Sequence, residues 1–394
     1  MKFKISTVYT AILYIMLASQ ALILVGLPFG AYAMVSVGAW SIMLCEVLAL
    51  IMLFADGKRQ LLDNNRLMMI AILALLSVCV VILSSSIDFD NIIKLVTFLQ
   101  LPTFLFIATR NNTKRLKEVI YTANLLYPVL FFILYLSPLA YRFVGAYGEI
   151  QGDDITLGYN NPNETALYLM FCFFILLSAF FYYKNKLMVR FIAATEICFL
   201  AFLIYKTDCR AVLVVCMLVL AYMLFSVELY VQPLFIGAVF IIPIIYTIIV
   251  VCFPSLAYLE FMGETIENGR MNIILEYIDN LDAFGLLFGN FEKYNLNNMH
   301  NGMLSVVASL GIVVFGVYFA ALYFGYKRIL RGTVGKRDYM PLALGMLGII
   351  LHSVAEAAPL VSGSVYAASI FMIAYLAVPD KETNGSEEIE NITH

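Results

Sequence analysis

Long apolar runs recur along this chain of 394 residues, and no polar stretch between them is long enough to fold alone. A bilayer-crossing helix needs ~20 predominantly apolar residues. With 62% hydrophobic and 13% charged residues, the chain has material for roughly twelve such crossings. A soluble enzyme, a disordered protein, a small disulfide scaffold and a single anchor carrying a large soluble domain are all excluded. The fold class expected is an all-α polytopic membrane protein with one domain over 1–379 and a polar tail at 380–394.

Apolar periodicity predicts helices over 8–27, 33–54, 67–83, 92–109, 119–140, 165–183, 191–206, 211–227, 233–253, 302–326, 339–355 and 365–379. The first run imitates a signal peptide, with Lys2 and Lys4 before it and Ala31-Tyr32-Ala33 after it. Its length, Val8 to Leu27, suits a retained span better than a cleaved leader. The seven Cys are mostly inside apolar runs and show no CxxC spacing, so they read as small packing residues. With the N-terminus in the cytoplasm, 18 of the 24 Lys and Arg fall on cytoplasmic segments. The six on the other side are Lys94, Arg142, Lys206, Arg210, Arg270 and Lys293.

Two external segments are long, 141–164 and 254–301. In the second, Met271, Ile274, Leu275, Ile278 and Leu281 recur at helical spacing, which predicts an amphipathic helix on the membrane face. Nucleotide-binding loops and HExxH are absent, and three His cannot build a poly-His metal site. The Asp153-Asp154 pair reads as solvated charge rather than a metal site. No metal, cofactor or nucleic acid is expected.

The informative residues are basic groups on the sparsely charged side. Arg210 opens a helix after Thr207-Asp208-Cys209, and Arg270 opens the amphipathic segment. Charge at membrane depth is costly and needs a partner. Salt bridges would serve, from Asp208 or Glu196 to Arg210 and from Glu267 to Arg270; an anionic ligand would serve as well. Guanidinium groups bind phosphate oxygens in bidentate fashion, so a lipid diphosphate fits two arginines at the outer leaflet. His300, in Asn298-Met299-His300-Asn301, lies where the long loop re-enters the membrane. It is either an interfacial His bonded to a loop carbonyl or a general base. His352 and Glu356 are four apart in an apolar run and read as a structural or supporting polar pair. Asn160-Asn161-Pro162-Asn163-Glu164 reads as a turn with Asn163 capping the next helix, and its amides could also face sugar hydroxyls.

Taken in order, these features resemble a family. They are Asn161-Pro162-Asn163 before a span, Arg210-Ala211 at an external helix end, and a long loop with Gly269-Arg270 and Gly285-x-x-x-Gly289. His300-Asn301 then leads into Ser309-Leu310-Gly311-Ile312. The pattern is similar to the O-antigen ligase/polymerase superfamily, whose polymerase branch includes the Wzy-type O-antigen and capsule polymerases. The resemblance implies a helical glycosyltransferase of the bacterial cytoplasmic membrane with its active site outside. Its donor would be a polyprenyl-diphosphate-linked glycan; a flippase and a chain-length regulator of the same pathway would be its partners. By position it implies that Arg210 and Arg270 bind diphosphate and that His300 sits by the acceptor hydroxyl. Asn161, Asn163, Glu164, Asp208, Asn301, His352 and Glu356 would form the surroundings. The chain departs from the family pattern in Asp208-Cys209-Arg210-Ala211, where Ser-Arg-Gly is usual, and in Ile273-Ile274, where an aromatic residue is usual. A ligase moving a finished glycan to another acceptor, or a lipid-linked oligosaccharide transporter, is the alternative.

Overall fold

A computed structural model describes residues 5–55, 95, 98–99, 101, 114–145, 148–151, 154–159, 161–225, 228–253, 255, 260–261, 264–265, 271–294 and 301–354. Among them the fold is helical. The membrane-scale helices are α1 (Ile5–Gly26), α2 (Tyr32–Ala55), α3 (Lys114–Tyr135), α4 (Pro162–Tyr182), α5 (Leu187–Lys206), α6 (Arg210–Leu224) and α7 (Pro233–Cys252). Short helices α8 (Met271–Asp279), α9 (Ala283–Phe288) and α10 (Phe291–Tyr294) follow, then α11 (Gly302–Arg331) and α12 (Met340–His352). Five of these helices are long and apolar enough to cross a membrane: α3, α4, α5, α7 and α11. The protein is therefore membrane-embedded. The expected helices at 67–83 and 365–379, and nearly all of 92–109, lie outside the described residues.

Helix α4 is the centre of the bundle. Every residue from Glu164 to Ala179 is buried, and its nearly all-apolar sequence lets neighbours pack on every side. Helix α12 packs against it so closely that a Cβ on Gly345 would lie 2.6 Å from the Phe174 ring. Helices α5 and α7 instead keep most of their surface exposed, as lipid-facing helices do.

Polar contacts gather the helix termini at two ends. At one end Lys117 of α3 bonds Asp338 at 3.2 Å and the Tyr339 hydroxyl at 2.7 Å, while Tyr121 meets Ser178 of α4. Thr333 and Tyr230 meet at the same end. Eleven of the fifteen described Lys and Arg lie here, in 114–117, 184–190 and 327–337. At the opposite end Tyr159 donates to Leu24 O, Ile155 N to Lys206 O, and Gly302 N to Ser353 O.

Two small hairpins were not expected from the sequence. Strand β1 (Arg142–Gly145) pairs antiparallel with β2 (Gly148–Gln151), and β3 (Glu260–Phe261) with β4 (Glu264–Thr265). Each lies in a predicted external segment, where short polar strands can pair without burying a face.

Candidate functional site

The end away from the basic cluster carries the described candidate residues. Arg210 begins α6 after a tight turn. Thr207 Oγ1 donates to Ile204 O at 2.7 Å and closes the end of α5. Asp208 takes a left-handed backbone with φ +50°, a conformation Asp tolerates better than most residues. Cys209 is the residue before α6 and supplies no side-chain cap to its first turn. Arg210 Nη2 lies 3.7 Å from Asp208 Oδ2, with the two side chains 24% and 57% exposed. The expected salt bridge to Asp208 thus exists. A pair at this distance, with its carboxylate exposed, contributes only about 0–1 kcal/mol, so Asp208 holds the arginine weakly.

The segment 154–159 folds over the junction of α4, α5 and α6. Ile155 is fastened to Lys206, and Thr165 Oγ1 donates to Thr156 O at 2.7 Å. The cap of α4 is Asn161, not Asn163 as the sequence suggested. Its side chain accepts from Glu164 N at 2.8 Å, because Pro162 takes the first helical position, where a missing N–H costs nothing. Glu164 is buried, and Tyr168 donates to its Oε1 at 2.9 Å. Both Asn161 and Glu164 are therefore spent largely on the start of α4. Burial pushes the Tyr159 phenol well above its ordinary range, which keeps that ring neutral and packed on Tyr168.

Asn301 is the other focus. It caps α11 by accepting from Leu304 N at 3.0 Å, and its amide donates to Thr247 Oγ1 at 3.0 Å and Val354 O at 3.2 Å. One buried side chain thus joins the ends of α7, α11 and α12. Thr247 in turn donates to Pro243 O at 2.8 Å. Sequence reasoning missed Thr247; the proline four residues earlier was the available signal. His352 ends α12 next to this node and is buried.

Arg210 and Asn301 come to one level through α12. A Cβ on Gly348 would lie 2.4 Å from Val215 Cγ1, so α12 and α6 touch there. The helices run antiparallel. Going outward, Arg210 is five residues beyond Val215 and His352 four beyond Gly348, about 7 and 6 Å at helical rise. Arg270, His300 and Glu356 lie outside the described residues. Their sequence neighbours Met271 and Asn301 are both at this end.

Helix α8 forms where the apolar spacing predicted it. Ile274 and Tyr277 are buried with Val250 of α7 and with Leu304 and Ala308 of α11. The helix therefore rests on protein as well as on any membrane face. Burial, aided by Tyr294, pushes the Tyr277 phenol up to about 12. Among the described residues no group of His, Cys, Asp and Glu is arranged to hold a metal.

A helix start without a side-chain cap, carrying a partly exposed guanidinium, can bind a phosphate oxygen without a metal, since helix N-termini and arginines both favour anions. Searches against family models, curated proteins and solved structures give no match for this chain.

Proposed function

We propose that this protein is a membrane glycosyltransferase that polymerises polyprenyl-diphosphate-linked oligosaccharide repeat units into a surface polysaccharide. The reaction takes place at the outer face of the bacterial cytoplasmic membrane, with twelve spans and the basic end inside. The observation that carries this reading is Arg210, partly exposed at the start of α6, where Cys209 supplies no side-chain cap, and opposite the Lys/Arg-rich end.

The acceptor hydroxyl attacks the anomeric carbon of the donor sugar. The new C–O bond forms as the bond to the diphosphate breaks, through an oxocarbenium-like transition state. The electron pair leaves with the diphosphate, where Arg210 and Arg270 stabilise the growing charge. His300 takes the hydroxyl proton. Asn301 holds the chain beside it by tying α7, α11 and α12 together.

The test is the purified protein in nanodiscs with a lipid-linked repeat unit, read as a ladder of products. Arg210→Ala and Arg270→Ala should abolish the ladder while the protein stays folded. His300→Ala should slow it by ~10²–10⁴-fold, the usual worth of a general base, with donor binding retained. Wild-type rates in all three variants would overturn the reading. One observation favours a transporter instead: α11 is interrupted at Gly311, and broken helices are common in transporters. Here the interruption is packed against the 287–289 backbone. Movement of a lipid-linked oligosaccharide across the bilayer without lengthening would identify the transporter.

A further inference from the structure

The short helix α9 presents apolar side chains that the bundle does not cover. Phe284 is 59% exposed, and Leu286, Leu287 and Phe288 are exposed with it. The Phe284 and Phe288 rings meet at 5.0 Å between centroids, tilted by 46°, as neighbours one helical turn apart. Polar residues bracket the run: Asp282 caps α9 by accepting from Gly285 N, and Asn290 follows Gly289.

The position of α9 relative to a bilayer follows from α11. That helix breaks at Gly311 (φ 80°, ψ 166°), so its uninterrupted part runs from Ile312 to Arg331. From Ile312 to the basic residues between Lys327 and Arg331 it rises about 22–28 Å, close to the thickness of a bilayer hydrocarbon core. Lys327, Arg328 and Arg331 mark one boundary. Ile312 then lies at the other boundary, where α9 is fastened. Asn290 N donates to Ala308 O at 2.8 Å, and Gly289 and Gly311 each press on the other segment's backbone. Next to this joint, Ile312 and Val313 of α11 are themselves exposed. The uncovered face of α9 is thus continuous with a lipid-facing surface and level with its edge.

We infer that residues 283–288 are an interfacial anchor whose occupant is the acyl-chain region of the outer leaflet, entered by Phe284 and Phe288. Apolar helices of this kind gain by seating their rings at the headgroup–hydrocarbon boundary. The anchor pins the segment 271–294 at the depth where a lipid's phosphates lie, and it holds whether or not the protein transfers sugars.

The chain's single Trp makes the test clean. In a Trp40→Phe background, Phe284→Trp and, separately, Phe288→Trp are reconstituted in vesicles of phosphatidylcholine and phosphatidylglycerol. Emission should be lost with brominated acyl chains and unaffected by iodide. Asn280→Trp, on an exposed position before α9, should show the reverse. Iodide quenching of the 284 and 288 probes equal to that at 280 would overturn the anchor. So would shielding of both probes from lipid and iodide alike, which would mean that another protein surface covers the helix.

Discussion

At the scale of the residue, the pair Arg210–Asp208 sets up a distinction that charge alone does not make. The guanidinium fork can grip two phosphate oxygens in one plane, and an ammonium cannot. Arg210→Lys keeps the charge at the start of α6, so a purely electrostatic role survives it. If a diphosphate is bound by the fork, Arg210→Lys in the nanodisc assay loses most of the polymer, and Asp208→Ala retains it. Near-normal polymer from Arg210→Lys would remove the fork from the mechanism. Loss of the weak ion pair should cost no more than about 1 kcal/mol, and Asp208→Ala should add the cost of an alanine in left-handed backbone, roughly 1–2 kcal/mol. Reading the sequence found the arginine and left Asp208 or Glu196 as its salt-bridge partner; the structure has Asp208, the adjacent one. It placed the α4 cap on Asn163 rather than Asn161, because composition alone does not say which Asn precedes the first helical turn; Pro162 did carry that information.

At the scale of the element, α9 and α11 meet at two glycines. Gly289 (φ 76°, ψ −178°) and Gly311 (φ 80°, ψ 166°) both occupy a backbone region open essentially to glycine alone. A Cβ on Gly311 would lie 2.1 Å from Leu287 O, and one on Gly289 2.4 Å from Ser309 C. Gly289→Ala and Gly311→Ala should each cost at least about 1–3 kcal/mol from backbone strain alone, read as a lowered thermal midpoint in detergent. Gly316→Ala, in the same helix with nothing within 4 Å of the added carbon, should leave the midpoint unchanged or raise it. The sequence shows an unbroken apolar run over 302–326 and so predicts one straight helix. The break is invisible to periodicity because it depends on a backbone met some twenty residues earlier in the chain. Helix α8 was legible for the opposite reason: its apolar spacing is a local property, and Ile273 and Tyr277 had to be added to the face.

At the scale of the whole molecule, the arrangement of ends is what the Lys and Arg pattern anticipates. The described helices alternate between a basic end and one that, among the described Lys and Arg, holds Arg142, Lys206, Arg210 and Lys293. With a cytoplasmic N-terminus, single cysteines at Lys184 or Lys336 in a Cys-free chain should react only after the membrane is permeabilised. A cysteine at Asn280 should react with an impermeant reagent on intact spheroplasts. Labelling of position 280 only from inside would invert the orientation and rule out a site facing outward. Counting apolar runs was enough to locate the nine long helices described, within a few residues at most ends. Which helix is central was not legible, because α7 is as apolar as α4. Burial of α4 is decided by its neighbours, through contacts such as Phe174 with Gly345.

The joint between α9 and α11 also imposes an order on biosynthesis. Gly289 leaves the ribosome before Gly311, and at roughly 5–20 residues per second the interval is a second or a few. During that time α9 is complete in sequence but has no partner backbone, and its phenylalanines have only lipid or the insertion machinery to meet. The segment must wait at the membrane surface until α11 arrives and closes the joint from the other side. Slowing translation between the two glycines would prolong that wait, and the newly made chain would then be most open to proteolysis at 283–290.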